Sequence, residues 1–413
     1  MHVHHTRLEN GLEIIAELNE HAHSVGLGFF VRTGSRDESP EDEGISHFLE
    51  HMIFKGTQKR DALAVNRDLD RIGAKHNAQT SEEDTVYYLA CLPEYFEPAL
   101  DILADILRPA LRDEDFETEK QVILEEIQMY LDQPMSVAYE AAKALHFQAH
   151  PLARSVLGTP ETIGRMRPAA MRSYFTRRYG PSNIVLAVAG NADWSQIERL
   201  ARSRCAAWEG PLAERATPSA RGSHACRAIP RADDQTEVLI GLADAPCLES
   251  PDRYAASLLA TILGDHIGSR LYWTLVEPGL ADAAELSFQD FNQAGAYITV
   301  LSCDPELVEE NLARLQAALS AFHDAPITHD ELTAARNKVM ARSVVRAERP
   351  MGRLWSLGFH WTYRREYMSL DQELDELNRV ELEDLHRLLE QFPLWPQTLV
   401  ATGPREHLQF PGF

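Results

Sequence analysis

The pattern of apolar and polar positions predicts short strands and amphipathic helices in groups, rather than a strict alternation of the two. Residues 8–15 read as a hairpin turning at Asn10 and Gly11. Residues 25–31, with Val25, Leu27, Phe29, Phe30 and Val31, read as a strand. A polar loop over 32–42 then leads into a helix that starts near Gly44 and Ser46. Further along, a helix is expected over 62–72, strand segments over 77–81 and 85–90, and an amphipathic helix over 93–107 that stops before Pro109. A longer helix begins near Asp115, residues 151–179 are helix-rich, and 183–191 form a buried strand ending in a turn.

Residues 208–235 lose this periodicity and are rich in Pro, Gly, Ser, Thr, Ala and Arg, which predicts an interdomain linker. The pattern then restarts. Residues 238–243 resemble 25–30, and 398–404 resemble the strand ending at Gly190, both pairs at an offset of 213 residues. A constant offset at the two ends of a segment is what a duplicated domain predicts. The expected organisation is a first domain over 1–209, a linker over 210–235 and a homologous domain over 236–413. Each is α+β, an antiparallel or mixed sheet packed with helices.

With 413 residues, 44% hydrophobic and 25% charged, the chain is long enough for two or more such domains. A formal charge of -23 argues against nucleic acid as a partner and suits basic or unfolded peptides, although acidity also serves solubility. Cys91, Cys205, Cys226, Cys247 and Cys303 are scattered, odd in number and without C-x-x-C spacing, so neither a disulfide framework nor a thiolate zinc site is indicated. A reducing compartment fits, and the expected location is the cytoplasm. No apolar signal core opens the chain, and no stretch reads as a membrane span. His2, His4 and His5 are expected to decorate the first strand rather than to form a ligand cluster.

The candidate chemistry lies in residues 44–57. On a helix, His47 and His51 are one turn apart and leave the same face, with Glu50 beside them. The order H-x-x-E-H is the zinc-hydrolase motif H-E-x-x-H read backwards. A hydrogen-bonded core cluster is the plain alternative, and a distant third ligand would decide between them. The helix near Asp115 offers one. At about 100° per residue, Phe116, Glu119, Ile123, Glu126, Ile127 and Tyr130 form one stripe, with Glu125 pointing away. Carboxylates seldom sit in an apolar stripe without a cation.

These residues, with Phe54-Lys55-Gly56-Thr57, Asn77-Ala78-Gln79-Thr80, His150-Pro151, Leu157-Gly158-Thr159 and Gly268-Ser269-Arg270-Leu271-Tyr272, resemble the pitrilysin-type zinc metallopeptidases. The likeness is to the short-chain branch of mitochondrial processing peptidase and its bacterial relatives, and it covers nearly the whole chain. The resemblance implies that His47, His51 and Glu126 bind one Zn2+ per chain and that Glu50 is the general base. It implies that Glu119 stands behind the ligands, that Asn77 and Ala78 bind substrate on an edge strand, and that the two domains make half of a clam shell. The activity it implies is a zinc-dependent endopeptidase acting on extended or unfolded peptides in an enclosed chamber, in a bacterial cytoplasm. The competing expectation is a structural or assembly subunit that keeps the fold without catalysis.

One departure matters. The resemblance leads one to expect an Arg and a Tyr flanking a Gly-Leu in the second half, yet Val276 and Asp282 flank Gly279-Leu280. Neither side chain can stabilise an oxyanion. The expected partner is therefore a homologous subunit that supplies the Arg/Tyr pair, with a homodimer left open. Arg270 and Tyr272 are candidate substitutes, or simply pack a helix start.

Overall fold

The computed structural model describes residues 2–322 and 325–410. Strands β1 (His2–Arg7), β2 (Glu13–Leu18), β3 (Val25–Val31), β4 (Lys75–Thr80), β5 (Thr85–Cys91) and β6 (Ile184–Gly190) form one sheet in the order β1-β2-β6-β3-β5-β4. Strands β7 (Cys226–Pro230), β8 (Glu237–Asp244), β9 (Ala283–Phe291), β10 (Ala294–Cys303) and β11 (Thr398–Gly403) form a second sheet in the order β7-β11-β8-β10-β9.

Apart from β1, the two sheets have the same topology. In each, one parallel pair (β2 with β6, β7 with β11) is followed by antiparallel pairs out to an edge strand. The central strands β3 and β6 are buried on both faces, which is why they read as continuous apolar runs. The duplicated, mixed α+β organisation expected from the 213-residue offset is present.

The boundaries differ from the expected 1–209, 210–235 and 236–413. Two compact units interleave along the chain. The first takes the chain up to Ile127, then Arg154–Ala216 and Val344–Leu370, and the second takes Gln128–Ala153, Thr217–Ser343 and the chain from Asp371. The reason is a reciprocal exchange of helices. The helix Pro134–Phe147 comes from the first half of the sequence but packs on β8 and β11, whereas Pro350–Arg364, its counterpart at nearly the same offset, packs on β2, β3 and β6. Small residues permit the approach. A Cβ on Gly358 would lie 2.2 Å from the Phe30 ring, and Ala138 and Ala142 line the buried face of the other helix.

The expected linker is also partly a strand. β7 lies within 210–235 and stands at the 213-residue offset from β2, which makes it that strand's counterpart in the second sheet. The preceding residues are fixed too, since Arg215 pairs with Asp37 at 2.6 Å and its side chain is almost wholly buried.

Pro350–Arg364 is held by charge as well as by packing. The Nε of Arg353 donates to Glu17 at 2.8 Å, the Tyr367 hydroxyl donates to the same carboxylate at 2.8 Å, and Glu17 is 3% exposed. Removing one member of a buried pair strands the other. Arg353→Met is therefore expected to destabilise the first unit by about 3–5 kcal/mol, read as a fall in the urea-unfolding midpoint.

Candidate metal centre

The helix Ile45–Ile53 is placed by a loop that proves buried rather than merely polar. Both oxygens of Glu38 accept main-chain N–H groups at its start, from Gly44 at 2.8 Å and Ser46 at 2.7 Å. These are orphan donors of the first turn, for which a carboxylate is a good acceptor. Gly44 begins the helix at φ +91°, where a Cβ would lie 2.6 Å from the Leu157 carbonyl oxygen. The turn at Leu157 and Gly158 thus seats directly on the helix start, and Arg36, paired with Glu83 at 2.8 Å, fixes the loop from beneath.

From this helix His47 and His51 project toward the helix Asp113–Leu131, which presents Glu126 and Glu119. The Nε2 atoms of His47 and His51 lie 3.8 and 3.6 Å from Glu126 Oε2, and donor atoms of the three residues fall within 4.8 Å of one another. These separations are too long for hydrogen bonds. They approach the edge of about 3.4 Å expected for a tetrahedron whose corners stand roughly 2.1 Å from a zinc ion. Two imidazoles and a carboxylate are also the donor types zinc takes. Among the described residues this is the one group of three or more His, Cys, Asp or Glu side chains so arranged. The residues therefore fit the ion.

Glu119 stands behind them, 3% exposed, with Oε1 2.8 Å from His51 Nδ1 and Oε2 2.5 Å from Lys55 Nζ. That contact holds the proton on Nδ1 and leaves the His51 Nε2 lone pair toward Glu126. His47 has no such support. Its Nδ1 is buried without a hydrogen-bond partner among the described residues, and its ring makes an edge-on contact with the His51 ring, centroids 4.6 Å apart. Glu50 sits beside the histidines with Oε2 accepting the Thr80 hydroxyl at 2.6 Å. No periodicity in either element signals this contact.

The electrostatics separate the groups. Burial, reinforced by the charge of His51, pushes His47 down to about 3, so it is neutral and ready to ligate. Burial would lower His51 too, but its hydrogen bond to Glu119 and the nearby Glu126 charge outweigh it and raise the imidazole above its ordinary value. Burial raises Glu50 against the opposing Thr80 hydrogen bond. For Glu119, burial is overcome by the His51 and Lys55 contacts, and its carboxyl lies below the usual range.

Other expected positions fall elsewhere. Asn77 and Ala78 do lie on β4, the open edge of the first sheet. Ala78 shares its face with Thr80, while Asn77 alternates to the opposite face, across from Tyr88. Tyr130 leaves the buried stripe and is 37% exposed. On β1, His5 pairs with Glu13 of β2 and His4 stacks on Trp194, so these histidines decorate the strand as expected. The cysteines are free. Arg270 is committed to Glu331 and to the Ala325 and Pro326 carbonyls, and the Tyr272 hydroxyl donates to Glu277. Val276 packs against the second core and Asp282 is exposed.

In the second unit the equivalent centre is filled. Ala260, Leu263 and Gly264 stand where His47, Glu50 and His51 would be, and a Cβ on Gly264 would lie 2.0 Å from the Leu286 nitrogen of β9. Leu332 and Val339 replace Glu119 and Glu126 on the helix His329–Ala347.

Comparison with known proteins agrees with this division. Residues 13–160 match the family model described as insulinase (peptidase family M16), and residues 165–339 match the peptidase M16 inactive domain. The chain belongs to peptidase family M16. Among M16 relatives, an uncharacterized zinc protease of Streptomyces coelicolor is 30% identical over 98% of this chain and 91% of its own length. The uncharacterized zinc protease YmxG of Bacillus subtilis is 30% identical over 96% of this chain and 97% of its own. A protease from Helicobacter pylori shares the fold at a TM-score of 0.89 and 20% identity, covering 98% of this chain and 99% of that one. The relatives are bacterial, and among the described residues no helix is long and apolar enough to cross a membrane.

Because a proton on His51 competes with a metal, zinc affinity should fall about tenfold per pH unit below the raised His51 pKa. Glu119→Gln is expected to move that fall to lower pH and to weaken zinc binding at pH ~8 by about 10–100-fold. Competition against a chromophoric chelator at several pH values measures both.

Proposed function

We propose that the chain is the zinc-bearing subunit of an endopeptidase that hydrolyses extended peptides. The observation carrying this reading is the convergence of His47, His51 and Glu126 with Glu50 on the adjacent helical position. His47, His51 and Glu126 would hold the ion, one per chain, with Glu119 fixing the His51 tautomer. When bound, zinc supplies a Lewis acid and brings the pKa of a coordinated water toward about 7.

Glu50 takes a proton from the attacking water and later gives it to the leaving amine. Its raised pKa suits a group that must hold that proton between the two steps. The edge of β4 offers unpaired main-chain groups on one side, onto which a peptide can add as a further strand. This presents the scissile carbonyl beside Glu50, with Ala78 and Thr80 on the facing side. The net charge of -23 favours basic peptides and disfavours nucleic acid.

The proposal extends to a partner. The family resemblance leads one to expect an Arg and a Tyr at positions 276 and 282 to stabilise the tetrahedral intermediate, this chain has Val276 and Asp282 there, and Arg270 and Tyr272 are engaged elsewhere. A second copy of this chain would bring the same Val and Asp. A homologous subunit carrying the Arg/Tyr pair therefore completes the site better. We place this assembly in the cytoplasm, where five free cysteines stay reduced.

Glu50→Gln should keep one zinc per chain and lose peptide cleavage by at least about 100-fold, assayed with a fluorogenic peptide in the presence and absence of the co-purified homologous subunit. Undiminished cleavage by this variant would remove Glu50 as the base.

A further inference from the structure

The run Ser81-Glu82-Glu83-Asp84 directly after β4 has no place in the zinc chemistry, yet its three acidic residues are 5–7% exposed. Such burial costs free energy unless the groups are hydrogen-bonded and paired. The turn is tightly organised. Ser81 N–H donates to the Asp84 carbonyl at 2.8 Å, and Ser81 Oγ accepts the N–H groups of Glu83 at 3.2 Å and Asp84 at 3.1 Å. Outside the turn, Ser35 N–H donates to the Ser81 carbonyl at 3.2 Å, Arg36 pairs with Glu83 at 2.8 Å, and the Tyr363 hydroxyl donates to Asp84 at 2.8 Å. Thr85, the register partner of Thr80, donates its hydroxyl to the Thr33 carbonyl at 2.9 Å.

All of this immobilises the end of β4, where Thr80 stands. Its hydroxyl is 2.6 Å from Glu50 Oε2, and the Thr80 main chain also hydrogen-bonds that carboxylate. Threonine is stiff at χ1, so a fixed backbone fixes the direction of that hydroxyl. We propose that Thr80 is a positioning residue for Glu50: it ties the carboxylate to the end of β4 and so sets the direction in which the base meets the reacting atoms. Since β4 is the open edge of the sheet, the strand that would receive the peptide backbone is also the strand that holds the base. A peptide added to that edge meets Glu50 at a set distance and angle. The catalytic sense of this inference rests on the endopeptidase reading above, whereas the contact itself does not.

The test compares Thr80→Val, which keeps the shape and removes the donor, with Thr80→Ser, which keeps the donor, in the zinc-loaded protein together with its homologous subunit. Thr80→Val is expected to lower kcat by about 10–100-fold with KM and zinc content unchanged, and Thr80→Ser to recover most of the loss. An unchanged kcat in Thr80→Val, or a parallel loss of zinc and KM that Ser fails to rescue, would overturn the proposal. A readout free of activity uses chelator-treated protein. There the urea midpoints of Thr80→Val, Glu50→Ala and the double variant are expected to be non-additive, and additive midpoints would refute the coupling. A wild type that holds one zinc yet cleaves nothing, with a non-additive cycle, would sink the endopeptidase reading while leaving Thr80 as the holder of Glu50.

Discussion

Three carboxylates and two imidazoles share one largely buried patch, and the need to balance their charge shapes the first unit around them. Glu50, Glu119 and Glu126 face His47 and His51, with Lys55 as the cation paired to Glu119. Carboxylates at this depth are stable only when hydrogen-bonded and opposed by positive charge. Each has a different answer. Glu119 takes His51 and Lys55, Glu50 takes Thr80, and Glu126 is left pointing at two imidazole nitrogens beyond hydrogen-bond reach. A divalent ion at that point would supply the missing charge. The buried loop around Glu38 and Arg36 and the turn at Leu157 and Gly158 then follow as supports for the helix that carries the histidines.

Duplication explains the rest of the architecture. The same five-strand topology appears twice, and each half of the sequence lends a helix to the other half's sheet. One copy keeps His47, His51 and Glu126 together. In the other, β9 closes on Gly264, and Ala260, Leu263, Leu332 and Val339 fill the positions with apolar groups.

Much of the site was legible because helical periodicity is a short-range code. The four-residue spacing of His47 and His51, and the apolar stripe that singles out Glu126 over Glu125, follow from about 3.6 residues per turn. In the structure Glu125 is exposed and Glu126 faces the histidines. What stayed hidden depends on long-range packing. The exchange of Pro134–Phe147 and Pro350–Arg364 leaves no local trace, since either helix would be amphipathic on either sheet. β7 was masked by its polar, Pro-rich surroundings, although carrying the 213-residue offset back to β2 would have revealed it. The contact from Thr80 to Glu50 joins a strand end to a helix, and no periodicity within either element encodes it. The side of β4 on which Asn77 lies depends on register, which the sequence does not state.

The central claim is that His47, His51 and Glu126 form a zinc site. Elemental analysis of protein reconstituted with zinc and dialysed to equilibrium tests it directly, with His47→Ala, His51→Ala and Glu126→Ala measured alongside. Close to one zinc is expected for each wild-type chain and little or none in any of the three variants. Wild-type protein that retains no zinc, or variants that retain as much as the wild type, would contradict it.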